Sequence, residues 1–372
     1  MTIKEEYMRR ALEIARKGMG KVAPNPMVGC VIVKNGEIIG QGYHERYGHY
    51  HAERAALINM GEECKGADLY VTLEPCCHHG KTPPCTDIII EKGIKRVFVG
   101  CLDPNPLIAG KGIQILRENN IEVVTGILEE ECLKLNEMFF YYITKKRPYV
   151  ALKYAMTLDG KIATCIDDSK WVTNEKSRED VHRLRNEYHA IMVGINTVLA
   201  DDPMLNCRIP NGTDPVRIIC DSRLRIPLDS NIVKTSKDIE TIVVYCLSAN
   251  SESYYNDKVE ALEEKGVKLM CTDSYTEVDL DRLMDKLGER KISSILVEGG
   301  GSINGTLLTK GIVNKVYAYI APKLVGGVNA KSPIEGRGIE LMDNAVKLKN
   351  ISMVRFGDDI KISGEVINCL QE

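Results

Sequence analysis

His51-Ala52-Glu53, together with Pro75-Cys76 and Pro84-Cys85, is the part of this 372-residue chain whose residue types could do chemistry. Zinc prefers imidazole and thiolate ligands, and a catalytic zinc takes three protein ligands in a tetrahedral site and leaves the fourth position to water. His51, Cys76 and Cys85 would fill those three positions. Glu53 stands two residues beyond the histidine, where a helix start can aim its carboxylate at the water instead of the metal. Such a carboxylate takes the water's proton and passes it on, as general acid–base work requires. Pro84 suits a first helical turn, and a thiol there feels the positive end of the helix dipole, which favours the ionised, metal-binding form of Cys85.

H-x-E followed by P-C-x-x-C is the signature of zinc nucleobase deaminases, in which the glutamate is not a ligand. Here eight residues separate the cysteines, in the string Cys76-Cys77-His78-His79-Gly80-Lys81-Thr82-Pro83-Pro84-Cys85. The insertion leaves other ligands open: Cys77, or one of His78 and His79. A structural zinc with four protein ligands is a further reading, and so is chance clustering in a chain with 13 cysteines and 7 histidines. Neither of those accounts for Glu53 or for the proline ahead of each cysteine.

The elements that must position these residues read as alternating helices and strands. Thr2 and Glu5 form a capping box ahead of the apolar face Met8, Ala11, Leu12 and Ala15. A hairpin turns at Asn35-Gly36, after an extended Pro24-Asn25-Pro26 loop in which Asn25 is either a polar side chain held toward a ligand or an ordinary turn asparagine. Helices are expected over His51–Met60, Cys85–Lys92, Gly112–Glu118 and, as one long element, Glu129–Tyr142. Strands are expected at Leu69–Leu73, Arg96–Gly100 and Glu122–Thr125. The pattern predicts a layered α/β domain with a mainly parallel core. Polar Lys145-Lys146-Arg147 ahead of Pro148 places a boundary between 1–147 and 148–372. Beyond it, a strand over Tyr149–Met156 leads to a helix Glu175–Tyr188 that Thr173 can cap, and Thr197–Pro203 reads as a loop. The strand Ser294–Val297 runs into Glu298-Gly299-Gly300-Gly301-Ser302 and a helix, and late strands give a mixed sheet with an antiparallel edge. Glycines at such a turn let backbone N–H groups approach an anion, although they serve tight connections as often; the string is not G-x-G-x-x-G, which excludes a Rossmann reading. The only tryptophan, Trp171, reads as a core or interface residue.

The formal net charge is -3, with 20 basic and 19 acidic residues up to Arg147 and 29 and 33 beyond it. Neither half carries the basic excess of a nucleic-acid-binding surface. An odd number of cysteines scattered over both halves speaks for reduced thiols. The charged start, Met1 to Arg10, is not a signal peptide, and no apolar run approaches a membrane span, so a cytoplasmic protein is expected.

Pro24 to Gly29, His51 to Glu53 and Pro75 to Cys85 resemble the first domain of the bifunctional riboflavin-biosynthesis deaminase/reductase family, whose own form includes the long cysteine spacing. Lys153 to Ala163, Ser169 to Thr173, Thr197 to Pro203 and Glu298 to Gly301 are similar to its second domain. The resemblance implies a cytidine-deaminase-like three-layer α/β/α domain followed by a dihydrofolate-reductase-like α/β domain with a mixed sheet. It implies one zinc ion per chain and NADPH. The implied substrate is 2,5-diamino-6-ribosylamino-4(3H)-pyrimidinone 5′-phosphate, deaminated on the ring and then reduced from ribosyl to ribityl. By resemblance Glu53 is the proton shuttle, His51, Cys76 and Cys85 hold zinc, and Asn25, His44 and Lys81 hold the pyrimidine and its phosphate. Cofactor contacts carry over to Ala155, Trp171, Thr197, Asp201, Ser222 and the turn from Gly300 through Gly301 and Ser302 to Thr306. Substrate contacts carry over to Lys153, Ser169, Arg185, Leu205, Arg208 and Glu298; because guanidinium groups pair bidentately with phosphate oxygens, Arg185 and Arg208 read as phosphate clamps, or else as solvated surface charges. The family also implies a homo-oligomer. The competing reading, a nucleoside or tRNA deaminase fused to a regulatory nucleotide-binding domain, predicts a basic groove in the first half that the charge count does not favour.

Overall fold

A computed structural model describes residues 2–80, 82–105, 108–247 and 252–367. The chain divides into two compact units, Met1–Arg147 and Pro148–Glu372.

In the first unit, α1 (Ile3–Ala15) starts at Thr2, whose hydroxyl accepts from Glu5 N while the Glu5 carboxylate accepts from Thr2 N. The hairpin β1 (Gly29–Lys34) and β2 (Glu37–Tyr43) turns through Asn35 and Gly36, both at positive φ (54° and 84°), as a two-residue turn requires. The helix α2 (Ala52–Leu57), strand β3 (Asp68–Leu73), helix α3 (Cys85–Glu91), strand β4 (Arg96–Cys101), helix α4 (Lys111–Glu118) and strand β5 (Glu122–Thr125) follow. The sheet order is β2-β1-β3-β4-β5. Strand β1 is antiparallel to both neighbours and only β3-β4-β5 run parallel, so the sheet is mixed and not mainly parallel. Side chains alternate between its faces, as the pleat demands. Ile32, Leu69, Val71, Val97 and Val99 pack against α2, α3 and α4, whereas Val31, Val33, Tyr70 and Phe98 pack against α1. The result is three layers.

The single helix expected after β5 is two, α5 (Glu129–Leu135) and α6 (Glu137–Lys145). They part at Asn136 because its buried carboxamide is bound elsewhere: Oδ1 accepts from Met27 N (2.8 Å) and Nδ2 donates to Met27 O (2.9 Å). Helix α2 ends at Leu57, three residues before the expected stop.

The second unit contains β6 (Tyr149–Thr157), α7 (Glu175–Glu187), β7 (Ala190–Gly194), α8 (Ile195–Asp201), β8 (Val216–Cys220), α9 (Asn231–Lys234), β9 (Thr241–Tyr245), α10 (Glu252–Glu264) and β10 (Lys268–Cys271). It continues with α11 (Leu280–Glu289), β11 (Ser294–Val297), α12 (Gly301–Thr309), β12 (Lys315–Ala321), β13 (Leu348–Phe356) and β14 (Asp359–Val366). Nine strands run β10-β9-β8-β7-β11-β6-β12-β14-β13. The first seven are parallel, and the last two turn antiparallel, as the late strands led us to expect. Met192, Ile218 and Ile242 line one face and Ile191, Ile219 and Val243 the other, each covered by its own apolar cluster.

Three expectations change here. Asn174, not Thr173, caps α7: its Oδ1 accepts from Ser177 N (3.1 Å), and its Nδ2 is tied to Phe356 O. Residues 197–201 are helical because Ile195 and Val198 are drawn into the apolar cluster beneath them. Trp171 is 63% exposed, so it is not a core residue. Among the described residues, no helix is long and apolar enough to cross a membrane.

Candidate active sites

The three metal-type donors come from three element starts or ends. His51 is the N-cap of α2, Cys76 lies three residues past the end of β3, and Cys85 opens α3 behind Pro84. Backbone bonds lock the two cysteine segments: Cys85 N and Thr86 N both donate to Cys76 O (3.0 and 3.2 Å). His51 Nδ1 then lies 3.4 Å from Cys76 Sγ and 3.5 Å from Cys85 Sγ, and all three donor atoms fall within 4.8 Å of one another. Tetrahedral zinc with bonds of about 2.3 Å to sulfur and about 2.0 Å to nitrogen requires N···S edges of roughly 3.5 Å. The donor set fits zinc in chemistry and in spacing. Among the described residues no other group of three histidine, cysteine or acidic side chains closes in this way, and Cys77, His78 and His79 stand outside it.

Electrostatics agree. The Cys85 thiol, by bonding to Cys76, and then His51 draw the Cys76 thiol down to about 4, while the same bond and burial push Cys85 up. His51 is raised, first by its bond to Cys76. Glu53 is 3% exposed, and burial lifts its carboxyl to about 7, reinforced by the Cys76 charge.

His44 is buried edge-on to His51, with ring centroids 5.4 Å apart. Its Nδ1 lies 2.9 Å from Tyr50 O, which only accepts, so Nδ1 carries the proton; Nε2 then accepts from Asn25 Nδ2 (3.1 Å). Burial, followed by the neighbouring histidines, lowers His44 and keeps it neutral. Asn25, His44, His51, Glu53 and Cys76 share a cavity of about 290 Å³. Lys81 lies outside the described residues.

The same cavity is walled by Asp103 and Asn105, which sequence reasoning missed, and by His78, which it offered only as an alternative metal ligand. Burial raises the Asp103 carboxyl to about 6. A signal was present: Pro104-Asn105-Pro106 repeats the tripeptide Pro24-Asn25-Pro26.

In the second unit Glu298 directly follows β11, Thr197 stands in α8 directly after β7, and Lys153 and Ala155 lie in β6, toward the carboxyl ends where α/β sheets bind ligands. Glu298 is buried between Arg185, whose Nε and Nη2 donate at 2.7 and 3.0 Å, and Lys153 at 3.4 Å. Burial alone would raise this carboxyl, yet the two cations draw it down to about 2. Arg185 Nη1 donates to Asn206 O, and the exposed Arg208 donates to Asn206 Oδ1. Thr197 stands over the glycine turn: a Cβ on Gly299 would meet its Oγ1 at 2.7 Å. Gly300, at φ 69°, is the N-cap of α12, and Gly301 and Ser302 open the helix. Ser169 reaches Asp201 at 3.5 Å, and Ala155 lies in β6 opposite Tyr319. The open indole of Trp171 carries the Arg178 guanidinium 4.5 Å from its centre. Two positions are less open: Leu205 is buried in a core cluster at φ 50°, and Ser222 Oγ already accepts from Val278 N. Room beside Gly194, where a Cβ would meet nothing within 4 Å, and the glycine turn beside it suit a nucleotide cofactor.

Residues 1–101 match the family model "cytidine and deoxycytidylate deaminase zinc-binding region", and residues 148–362 match "RibD C-terminal domain". The riboflavin biosynthesis protein RibD of Actinobacillus pleuropneumoniae is 54% identical over 98% of this chain and 96% of that protein. The Aquifex aeolicus RibD is 45% identical over 97% and 98%. Among solved structures, Acinetobacter baumannii RibD superposes with a TM-score of 0.87 at 34% identity over 98% of this chain and 99% of that one. A diaminohydroxyphosphoribosylaminopyrimidine deaminase/5-amino-6-(5-phosphoribosylamino)uracil reductase from Thermotoga maritima does so at 0.85 and 40% identity, over 98% and 99%. The cytidine-deaminase-like and dihydrofolate-reductase-like folds that the sequence implied are those of the two units. With one half built as a zinc-binding deaminase domain and the other as a reductase domain, the chain belongs to the RibD family of bifunctional riboflavin-biosynthesis enzymes.

Proposed function

We propose that residues 1–147 deaminate 2,5-diamino-6-ribosylamino-4(3H)-pyrimidinone 5′-phosphate by hydrolysis, and that residues 148–372 reduce the ribosyl chain of the product to ribityl with NADPH. The observation that carries the first half is Glu53, buried in a 290 Å³ cavity beside the His51-Cys76-Cys85 donor set. The substrate pair is that of the Thermotoga maritima relative.

His51, Cys76 and Cys85 would hold zinc, which when bound makes water a nucleophile at neutral pH. Glu53, poised near 7 by burial, takes one proton from water and gives it to a ring nitrogen as the oxygen bonds to the ring carbon, then takes the second proton from that new hydroxyl and gives it to the amine, so that the C–N bond breaks, ammonia leaves and a carbonyl remains. Asn25 and His44 orient the pyrimidine; because His44 is neutral and takes one Asn25 N–H, the Asn25 oxygen is turned to accept from a ring donor. Lys81 is assigned to the phosphate on resemblance alone.

NADPH supplies the hydride in the second half. Ala155, Trp171, Thr197, Asp201, Ser222 and the Gly300-Gly301-Ser302 turn are assigned to the cofactor, and Lys153, Ser169, Arg185, Leu205, Arg208 and Glu298 to the substrate. Arg208 is the freer cation for phosphate, while Arg185 chiefly fixes Glu298. The assigned partners are this small phosphorylated pyrimidine and further copies of the chain, with no nucleic acid, in the cytoplasm.

Purified protein given the diaminopyrimidine phosphate should release one ammonia per substrate, and addition of NADPH should then cause a fall in its absorbance. Absence of ammonia overturns the deamination half, and steady NADPH absorbance overturns the reduction half.

A further inference from the structure

Glu74 lies between β3 and the metal-type cysteine Cys76, and its carboxylate is buried. It accepts from four backbone N–H groups of one distant segment. Oε2 takes Asp103 N (3.3 Å) and Gly110 N (3.0 Å), and Oε1 takes Gly112 N (3.1 Å) and Ile113 N (3.4 Å). Gly110 is the N-cap of α4 and has no side chain to satisfy the first turn, so a carboxylate from another element does so, on the positive end of the helix. The approach is close: a Cβ on Gly112 would sit 2.1 Å from Pro75 O.

What Glu74 fastens is a wall of the cavity. Asp103, whose backbone it holds, faces the space that Glu53 faces, and Ile108, inside the same segment, packs on Cys76 and Cys85. The cysteines cannot therefore shift relative to that wall without breaking bonds at Glu74. We propose that Glu74 is a positioning residue for the deamination: it sets the distance between the donor pair and the wall that carries Asp103 and Ile108, and so fixes where the pyrimidine lies against Glu53. This rests on the deaminase reading of the cavity.

The test uses the full chain with Glu74→Gln and Glu74→Asp. A carboxamide keeps one acceptor and turns N–H against N–H, whereas aspartate keeps both oxygens on a shorter stem. In Glu74→Gln we expect zinc content and NADPH-dependent reduction of deaminated substrate at parental levels. The deaminase KM should rise about tenfold while kcat changes by less than about threefold, with partial recovery in Glu74→Asp. A parental KM overturns the proposal, and so does loss of zinc in step with kcat, which would make Glu74 a support of the donor set alone. Should Glu74→Gln not fold, amide hydrogen exchange decides: joint loss of protection at Asp103, Gly110, Gly112 and Ile113 in Glu74→Asp supports the proposal, and unchanged protection overturns it. If the parent releases no ammonia, the deaminase reading fails, while the exchange result still reports on Glu74.

Discussion

Two carboxylates show what surroundings do to one functional group. Burial, reinforced by the Cys76 charge and opposed by His51, lifts Glu53 to about 7. Replacing it with glutamine should leave zinc bound and the fold intact while lowering the deamination kcat by about 10²–10⁴-fold; retained turnover, read as ammonia release, would remove Glu53 from the chemistry. Glu298 is equally buried, but Arg185 and Lys153 bring it down to about 2. Its folded value lies below its ordinary 4.5, so its contribution to stability is complete above about pH 4.5 and disappears as the pH falls toward 2. Arg185→Leu leaves that charge to Lys153 alone and should cost about 2–3 kcal/mol, visible in circular dichroism as an acid transition moved to higher pH; an unmoved transition would show that the pair does not support the fold. At this scale the sequence was informative where spacing carries chemistry, as at His51, Glu53, Cys76 and Cys85. It was silent on Asp103 and Glu74, ordinary acidic residues whose roles come only from backbone groups folded around them.

Elements were legible from periodicity and punctuation: the Thr2–Glu5 box, the Asn35-Gly36 turn, and the glycine run after β11. They failed where a distant partner outweighed local preference. The apolar spacing of 129–142 continues through Asn136, yet the helix stops there because that side chain is bonded to Met27, 109 residues earlier. That bond holds the loop that carries Asn25. Asn136→Ala should therefore destabilise the first unit by about 2–3 kcal/mol and raise the deaminase KM without touching reduction; equal stability in urea titrations would contradict this. In the second unit, Gly305→Ala places a Cβ 1.7 Å from Glu335 O and should displace α12, with NADPH binding by calorimetry the property most reduced.

On the scale of the whole molecule, the two units have separate sheets and separate apolar cores. A zinc chelator should accordingly abolish deamination while reduction of pre-deaminated substrate proceeds at its starting rate; parallel loss of both rates would tie the reductase to the metal. The polar run Lys145-Lys146-Arg147 ahead of Pro148 ends one set of alternating elements, and the two compact units divide at the same point. The antiparallel pairing of β1 with β3 was not legible in the sequence, because nothing in a strand's own composition records the direction of its neighbour.

Trp171, the only tryptophan in the chain, stands exposed under the Arg178 guanidinium at a position assigned to the cofactor. The intrinsic indole emission of this protein therefore comes from one spot in one half. A bound dihydronicotinamide ring, which absorbs in the band where indole emits, should quench that light by energy transfer, while loading or stripping the metal in the other half leaves the spectrum unaltered.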